Sequence, residues 1–390
     1  MTRTVTFVVP RYGADVLGGA EQGVRAFATR MAADGWTIRV ITSCARSLVT
    51  WEDDYEPGIT VEEGVEVLRC RVRRHRDPDL DSLSARVLTA DEVSLDDALE
   101  WIDRQGPDSP DLLDAVEAVT DGVVAPIPYL YQPTVRGILR ARVPTVLQAA
   151  SHPEPPLRLP VFDEVVDRAD GLLHGSRAEQ DLMLRRFPAA AAKPQVVIGL
   201  PIEVDAPCDP VTARDALGLG DEPYVVYLGR LDRGKGVHDL VARFGAYRSR
   251  TGRGRLVLGG PVIERPPSTP GVEVLGPVPE EHKYGLLAGA DLLVNPSPNE
   301  SFSIVVPEAF LVGTPVLVNG WCGPLREHCE NSGGGLWYTG EADFEVALER
   351  LLSDASLRER LAAAGAAYAR SMFSWTSVRT RYEALLDRVC

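Results

Sequence analysis

Short runs of β-branched and apolar residues alternate, along almost the whole chain, with longer stretches whose apolar positions recur at helical spacing. In the first half the strand-like runs are Val5–Val9, Ile38–Thr42, Val65–Val72, Gly122–Ala125, Thr145–Gln148 and Gly171–His174. Gln22–Ala33 carries Val24, Phe27, Ala28 and Met31 on one helical face and stops before Gly35, a residue suited to ending a helix. The chain thus opens as strand, glycine-containing loop and helix. After a proline-rich stretch between Gly199 and Pro210 the alternation restarts, with strands at Tyr224–Leu228, Arg255–Leu258, Val272–Leu275, Leu292–Val294, Val316–Val318 and Gly335–Trp337. The pattern predicts parallel sheets covered by helices on both faces, hence an α/β protein of two Rossmann-like doubly wound domains facing a central cleft.

The 390 residues suit two cores of roughly 150–200 residues each. The expected domains are 1–199 and 200–372, with a closing helix at 373–390 that packs back towards the first domain. The stretch Leu357–Ala369 followed by Ser371–Val389 gives the last two helices. Segment 74–114, acidic and broken by Pro78, Gly106, Pro107 and Pro110, reads as an insertion with one short helix, Leu95–Ile102.

Charge narrows the partners. Lys plus Arg number 41 against 56 Asp plus Glu, a formal charge of -15, which repels nucleic acid and anionic lipid over most of the surface. The six cysteines are scattered without a C-x-x-C pair and read as free thiols. Met1–Pro10 enters a strand without the features of a secretion signal, and no apolar run approaches the roughly 20 residues of a membrane span. A cytoplasmic protein is expected, peripheral to the inner face of a membrane only if its substrate is lipid-linked.

The most informative stretch runs from Pro296 to Phe310, between an apolar strand and Gly313-Thr314-Pro315-Val316. Pro307 fits only the first turn of a helix, so the helix is expected to begin near Ser303 or Ile304. Glu300 then lies in the preceding loop and Glu308 in the second turn, while the backbone N–H groups of Phe302, Ser303 and Ile304 and the helix dipole suit an anion. Gly229-Arg230-Leu231-Asp232-Arg233-Gly234-Lys235-Gly236 follows a strand directly and supplies two cations. Gly18-Gly19-Ala20-Glu21 lies in the loop after the first strand. Singly, these are ordinary turns and surface charges. Their order and spacing carry more.

Glu300 and Glu308, with Ala309-Phe310 and Gly313-Thr314-Pro315-Val316 behind them, resemble the E-x7-E motif of family 4 of the retaining GT-B glycosyltransferases. The loop from Gly229 to Gly236 resembles that family's G-R-L-x-x-x-K-G segment, and Gly18-Gly19-Ala20-Glu21 its G-G-x-E loop. The resemblance implies a GT-B fold and transfer of a hexose-type sugar from a nucleoside diphosphate sugar, UDP- or GDP-linked, to an acceptor hydroxyl, with the donor in the C-terminal domain and the acceptor side in the N-terminal one. It assigns Arg230 and Lys235 to the donor diphosphate, Glu308 to the ribose and Glu300 to the transferred sugar. Gly18 and Gly19 permit close approach of the backbone. His152, four residues beyond the strand Thr145–Gln148, is expected to orient the sugar. No cofactor and no metal is expected, since the two cations serve the departing phosphate; Asp79-Leu80-Asp81 has D-x-D spacing but falls in the insertion and reads as a solvated turn.

Ser303 stands where the family usually has glycine, Pro307 where it has an aliphatic, and Ile198–Glu203 departs from the usual linker. An epimerase or phosphorylase of related fold, or a non-catalytic sugar-nucleotide binder, remains open at this level. A nicotinamide dehydrogenase is disfavoured because Arg11-Tyr12-Gly13-Ala14-Asp15, not G-x-G-x-x-G, follows the first strand.

Overall fold

The computed structural model describes residues 3–16, 18–204, 206 and 208–390. It divides into two units, Met1–Pro201 with Val378–Cys390, and Ile202–Ser377. Asp205 and Pro207, in the proline-rich stretch, lie outside the described residues.

Unit 1 is built on β1 (Thr4–Val8), β2 (Thr37–Ser43), β3 (Gly58–Glu62), β4 (Val65–Cys70), β5 (Val123–Pro126), β6 (Val146–Gln148), β7 (Gly171–His174) and β8 (Gln195–Val197). The order is β3-β4-β2-β1-β5 and β6-β7-β8, and a parallel bridge between Val124 and Thr145 joins β5 to β6. All pairs are parallel except β3 with β4. Strand order therefore reverses between β1 and β5, the position at which loops from both sides part and leave a crevice. Val5, Val8 and Val40 are 0% exposed, because a parallel sheet is covered on both faces.

Two expectations for this unit are corrected. Strand β3 was not foreseen: Ile59 and Val61 are 65% and 74% exposed, so the edge strand has no buried face to generate an alternating pattern. Segment 74–114 holds more than one helix, namely Leu80–Thr89, Leu95–Gln105 and the start of Pro110–Glu117. Leu80, Leu83, Val87, Trp101 and Ile102 from it join one core cluster with Val135, Ile138 and Phe162, so it is part of the hydrophobic core and not a cover over it. Asp79 and Asp81 are exposed at the start of the helix Leu80–Thr89.

The helix Trp375–Val389 closes the chain. From Val378 onward it belongs to unit 1, where Tyr382, 2% exposed, packs its ring 5.7 Å from Phe27 and 6.5 Å from Trp36. Arg379 pairs with Asp34 at 2.9 Å and Asp387 with Arg3 at 2.8 Å. Burial of one such aromatic ring contributes on the order of 4–6 kcal/mol before its entropy cost, so this short segment is well anchored.

Unit 2 contains β9 (Val225–Leu228), β10 (Leu256–Gly259), β11 (Val272–Gly276), β12 (Leu292–Asn295), β13 (Val316–Asn319) and β14 (Gly335–Tyr338), in the order β11-β10-β9-β12-β13-β14 and parallel throughout. Numbered within the unit, that is 3-2-1-4-5-6, the dinucleotide-fold order, with its switch point between β9 and β12. The fold class read from the alternation is the one found. No helix among the described residues is long and apolar enough to cross a membrane.

Candidate functional site

The loops of interest in unit 2 leave the carboxyl ends of β9 and β12, the two strands at the switch point. After β9, Gly229–Gly236 turns into the helix Val237–Thr251. Gly236 has φ +72°, and a Cβ there would lie 2.6 Å from the Pro296 carbonyl, so only glycine lets this loop lie against the one after β12. Within it, Asp232 accepts from the Lys235 backbone N–H at 2.7 Å and pairs with Arg230 at 3.3 Å, while Tyr227 donates its hydroxyl to the Arg230 carbonyl at 2.8 Å. The Arg230 side chain remains 56% exposed.

The loop after β12 is held by side chains the sequence did not single out. Asn295 accepts from the Ser297 N–H at 3.0 Å and donates to the Ser303 hydroxyl at 3.0 Å, and Asn319, at the end of β13, donates to the Pro296 carbonyl at 3.3 Å. Both lie at strand ends, where a lone asparagine gives no sequence signal. The outcome is a direct pair: Lys235 Nζ lies 2.7 Å from Glu300 Oε1, the two side chains being 27% and 17% exposed. The structure thus brings together the cation of one motif and the first carboxylate of the other.

Ser303 has φ +73°, the left-handed region that costs a β-carbon residue about 1–2 kcal/mol, and the bond from Asn295 offsets part of that cost. The backbone here keeps a glycine-like conformation although the residue is serine. The following helix is Val305–Leu311, one or two residues later than expected, with Ile304 at its N-cap. Glu308 consequently lies in the first turn and not the second. The Phe302 ring is turned inward, 4% exposed, with ring centroids 5.1 Å from His328 and 5.1 Å from Phe373, and its carbonyl accepts from His328 Nε2 at 2.7 Å.

Glu308 is 5% exposed, and burial pushes its carboxyl above the usual range. Lys283 pulls it back, with Nζ at 2.6 Å from Oε1, and the Tyr284 hydroxyl lies 3.3 Å from the same oxygen. Lys283 is a partner of Glu308 that the sequence reading missed. It lies on the helix Glu280–Ala288, 25 positions before its partner, among charges that look like ordinary helix-start residues.

In unit 1, Gly18 is extended at the N-cap of the helix Gly19–Ala33, and a Cβ on it would fall 2.1 Å from Glu21 Oε2. Glu21 cannot swing away freely, because it holds Arg11 through Nε at 3.0 Å in a pair whose side chains are only 5% and 8% exposed. His152 follows β6; its Nε2 is 3.6 Å from Glu154 Oε1, and its buried Nδ1 has no hydrogen-bond partner among the described residues. Beneath its loop, Glu179 accepts from Ser151 N–H at 2.6 Å and Gly175 N–H at 2.7 Å. Burial raises Glu179 to about 7, the backbone N–H groups pulling the other way. Among the described residues no group of three or more His, Cys, Asp or Glu side chains is arranged to hold a metal ion.

Residues 222–354 match the family described as glycosyl transferases group 1. The chain is 31% identical over 250 residues to the D-inositol 3-phosphate glycosyltransferase of Nocardioides sp., covering 57% of this chain and 54% of the relative. It spans about half the length of the curated relatives it matches. Among solved structures it is similar to the sucrose-phosphate synthase of Thermosynechococcus elongatus, with a TM-score of 0.73 at 20% identity over 99% of this chain and 98% of the other. HepE of Anabaena, in complex with UDP and glucose, gives 0.71 at 17% identity over 99% of each. The fold is GT-B.

Proposed function

We propose that this chain, which has the GT-B fold and carries a group 1 glycosyl transferase domain at 222–354, moves a hexose-type sugar from a UDP- or GDP-linked donor to an acceptor hydroxyl with retention of anomeric configuration and without a metal ion. One observation carries the reading: Lys235 and Glu300 meet at 2.7 Å at the switch point of a 3-2-1-4-5-6 sheet, where ligands of such sheets bind. The UDP in HepE, a protein of the same fold, supports a uridine nucleotide here.

In this reading Arg230 and Lys235 take the diphosphate, and the backbone of Phe302, Ser303 and Ile304 faces the same group. Glu308, steadied by Lys283, accepts from the ribose hydroxyls, and Glu300 accepts from hydroxyls of the transferred sugar. In unit 1, Gly18 and Gly19 allow close backbone approach, and His152 steadies the sugar ring by donating to a hydroxyl. The acceptor oxygen forms a bond to the anomeric carbon as the bond to phosphate breaks, and its proton passes to the departing phosphate oxygen. No base or nucleophile is then required of the protein, and attack comes from the leaving-group face. The negative charge that grows on the diphosphate is met by two cations, which is the reason a metal is dispensable.

The test combines a donor panel with NMR of the product. An α-linked UDP or GDP sugar is expected to give an α-linked product in excess EDTA, and Lys235→Ala or Arg230→Ala to lower turnover by a factor on the order of 100–1,000. A β-linked product excludes retention. Loss of turnover on chelation, restored by Mg²⁺, excludes metal independence. Near-normal rates in both variants exclude the diphosphate assignment.

A further inference from the structure

Against a chain charge of -15, the run Arg71-Val72-Arg73-Arg74-His75-Arg76 stands out, and it leaves the carboxyl end of β4 in unit 1. That is the end of the sheet at which the loops bearing Gly18 and His152 also emerge, since β4, β2, β1, β5 and β6 run parallel. Arg73, Arg74, His75 and Arg76, with Arg104 from the helix Leu95–Gln105, line a concavity of about 400 Å³.

The charges in its wall do not cancel. Asp108, 3% exposed, is shared by two guanidiniums, Arg73 at 3.0 Å and Arg74 at a shorter distance, so one cation is in excess there. Both arginine side chains stay more than half exposed, at 61% and 63%, and so present N–H groups outward. Arg76 donates only to neutral acceptors, the Leu48 carbonyl at 2.8 Å and the Gln105 side chain at 3.3 Å, and its charge has no carboxylate partner among the described residues. Asp103, also in the wall, is neutralised by Arg136 at 2.7 Å, while Arg104 is shared by Asp77, another wall residue, and Glu100, which offsets the extra cation on Asp108 and leaves the charge of Arg76 as the net excess. A structural role explains the Asp108 anchor. It does not explain a second guanidinium on one carboxylate beside a third with none.

We propose that this pocket binds the phosphate group of a phosphorylated acceptor, the guanidinium forks of Arg73, Arg74 and Arg76 supplying paired N–H donors to its oxygens. The word acceptor rests on the transferase reading above; the anion site does not. The chemistry is a phosphate monoester or diester, on a soluble polyol or sugar or on a lipid headgroup.

The experiment titrates the full chain with inorganic phosphate at fixed ionic strength by calorimetry, with UDP as the second ligand. Saturable single-site phosphate binding is expected, weakened about 10-fold or more in Arg74→Gln and in Arg76→Gln, the scale of one charge-assisted hydrogen bond. UDP affinity is expected to stay unchanged in both. Arg74→Gln leaves Arg73 on Asp108, so the fold is retained, and a melting curve verifies it. Absence of saturable binding, or equal binding in wild type and both variants, overturns the site. A turnover arm compares glucose with glucose 6-phosphate and glycerol with glycerol 3-phosphate, and a sedimentation arm uses vesicles of phosphatidylglycerol in phosphatidylcholine. Preference for soluble esters, or vesicle binding abolished by the same variants, supports the site and identifies its source. Turnover of neutral acceptors alone overturns the proposal that the pocket holds the acceptor's phosphate while leaving the transferase standing. Failure of every nucleotide sugar to bind sinks the transferase and leaves the phosphate titration to decide the pocket by itself.

Discussion

Lys283→Met isolates the contribution of a residue for which the sequence offered no motif. The substitution keeps the length of the stem and removes the charge 2.6 Å from Glu308, whose side chain is 6% exposed. Removing one member of a fully buried pair costs about 3–5 kcal/mol; Lys283 is 22% exposed, so the expected loss is about 2–3 kcal/mol. The sign of its pH dependence is fixed by the raised carboxyl. A carboxyl whose folded pKa lies above its unfolded value binds more protons in the native state, so its contribution to stability falls as pH rises from the unfolded value through the folded one. Without Lys283, burial and Glu280 push Glu308 further up, and the deficit of the variant against wild type grows from pH 5 to pH 8. Urea midpoints at the two pH values measure it. Adding Glu308→Gln to Lys283→Met is expected to recover at least half the loss at pH 8, because the uncompensated charge is gone. UDP affinity is expected to fall about 10-fold or more in Lys283→Met, because the Glu308 carboxylate loses the cation that favours its charged form and holds it in place to accept from the ribose hydroxyls. Equal deficits at both pH values, or a double variant as unstable as the single one, refute the electrostatic account; unchanged UDP affinity refutes the ribose role.

Gly18→Ala is expected to cost about 1–3 kcal/mol, since the new methyl group meets a carboxylate fixed on buried Arg11, and an unchanged melting temperature contradicts this. Glu179, raised to about 7 and with no cation paired to it among the described residues, is expected to lower stability by about 3 kcal/mol in all as pH rises from 4.5 towards 8. Comparison of wild type with Glu179→Gln by urea titration across that window checks it: the variant is expected to lose this pH dependence, and a wild type with a flat profile excludes the shift.

The sequence revealed the strands that are buried on both faces, because a strand covered on both sides reads as a near-continuous apolar run, as β5 and β10 do. It hid β3 for the converse reason. In segment 74–114 the prolines and glycine were taken as breaks, yet Pro110 opens a helix at its first position and Gly106 closes one at its C-cap. Both are places where those residues assist a helix, and only the buried leucines between them betray it. Arg230, Lys235, Glu300 and Glu308 were legible as residues because each falls in a recognisable local pattern. Their partners were not. Lys283, Asn295 and Asn319 act across strand order and helix register, and no local pattern records which side chain lies opposite after folding.

The chain that begins in unit 1 also ends in it, with all of unit 2 between. A ribosome therefore releases every strand of unit 2 before it releases Tyr382, whose ring packs against Phe27, and the buried Leu385 and Leu386. The half of the protein made first waits longest for its final piece. Until those residues emerge, Phe27 on the helix Gly19–Ala33 lacks the ring of Tyr382, and a released chain that stops before residue 378 contains every residue of unit 2 but only part of unit 1. Loss of the last turns of the chain would thus strike the amino-terminal unit, some 350 positions away in sequence (Asp34 to Arg379 is a separation of 345) and in direct contact in space.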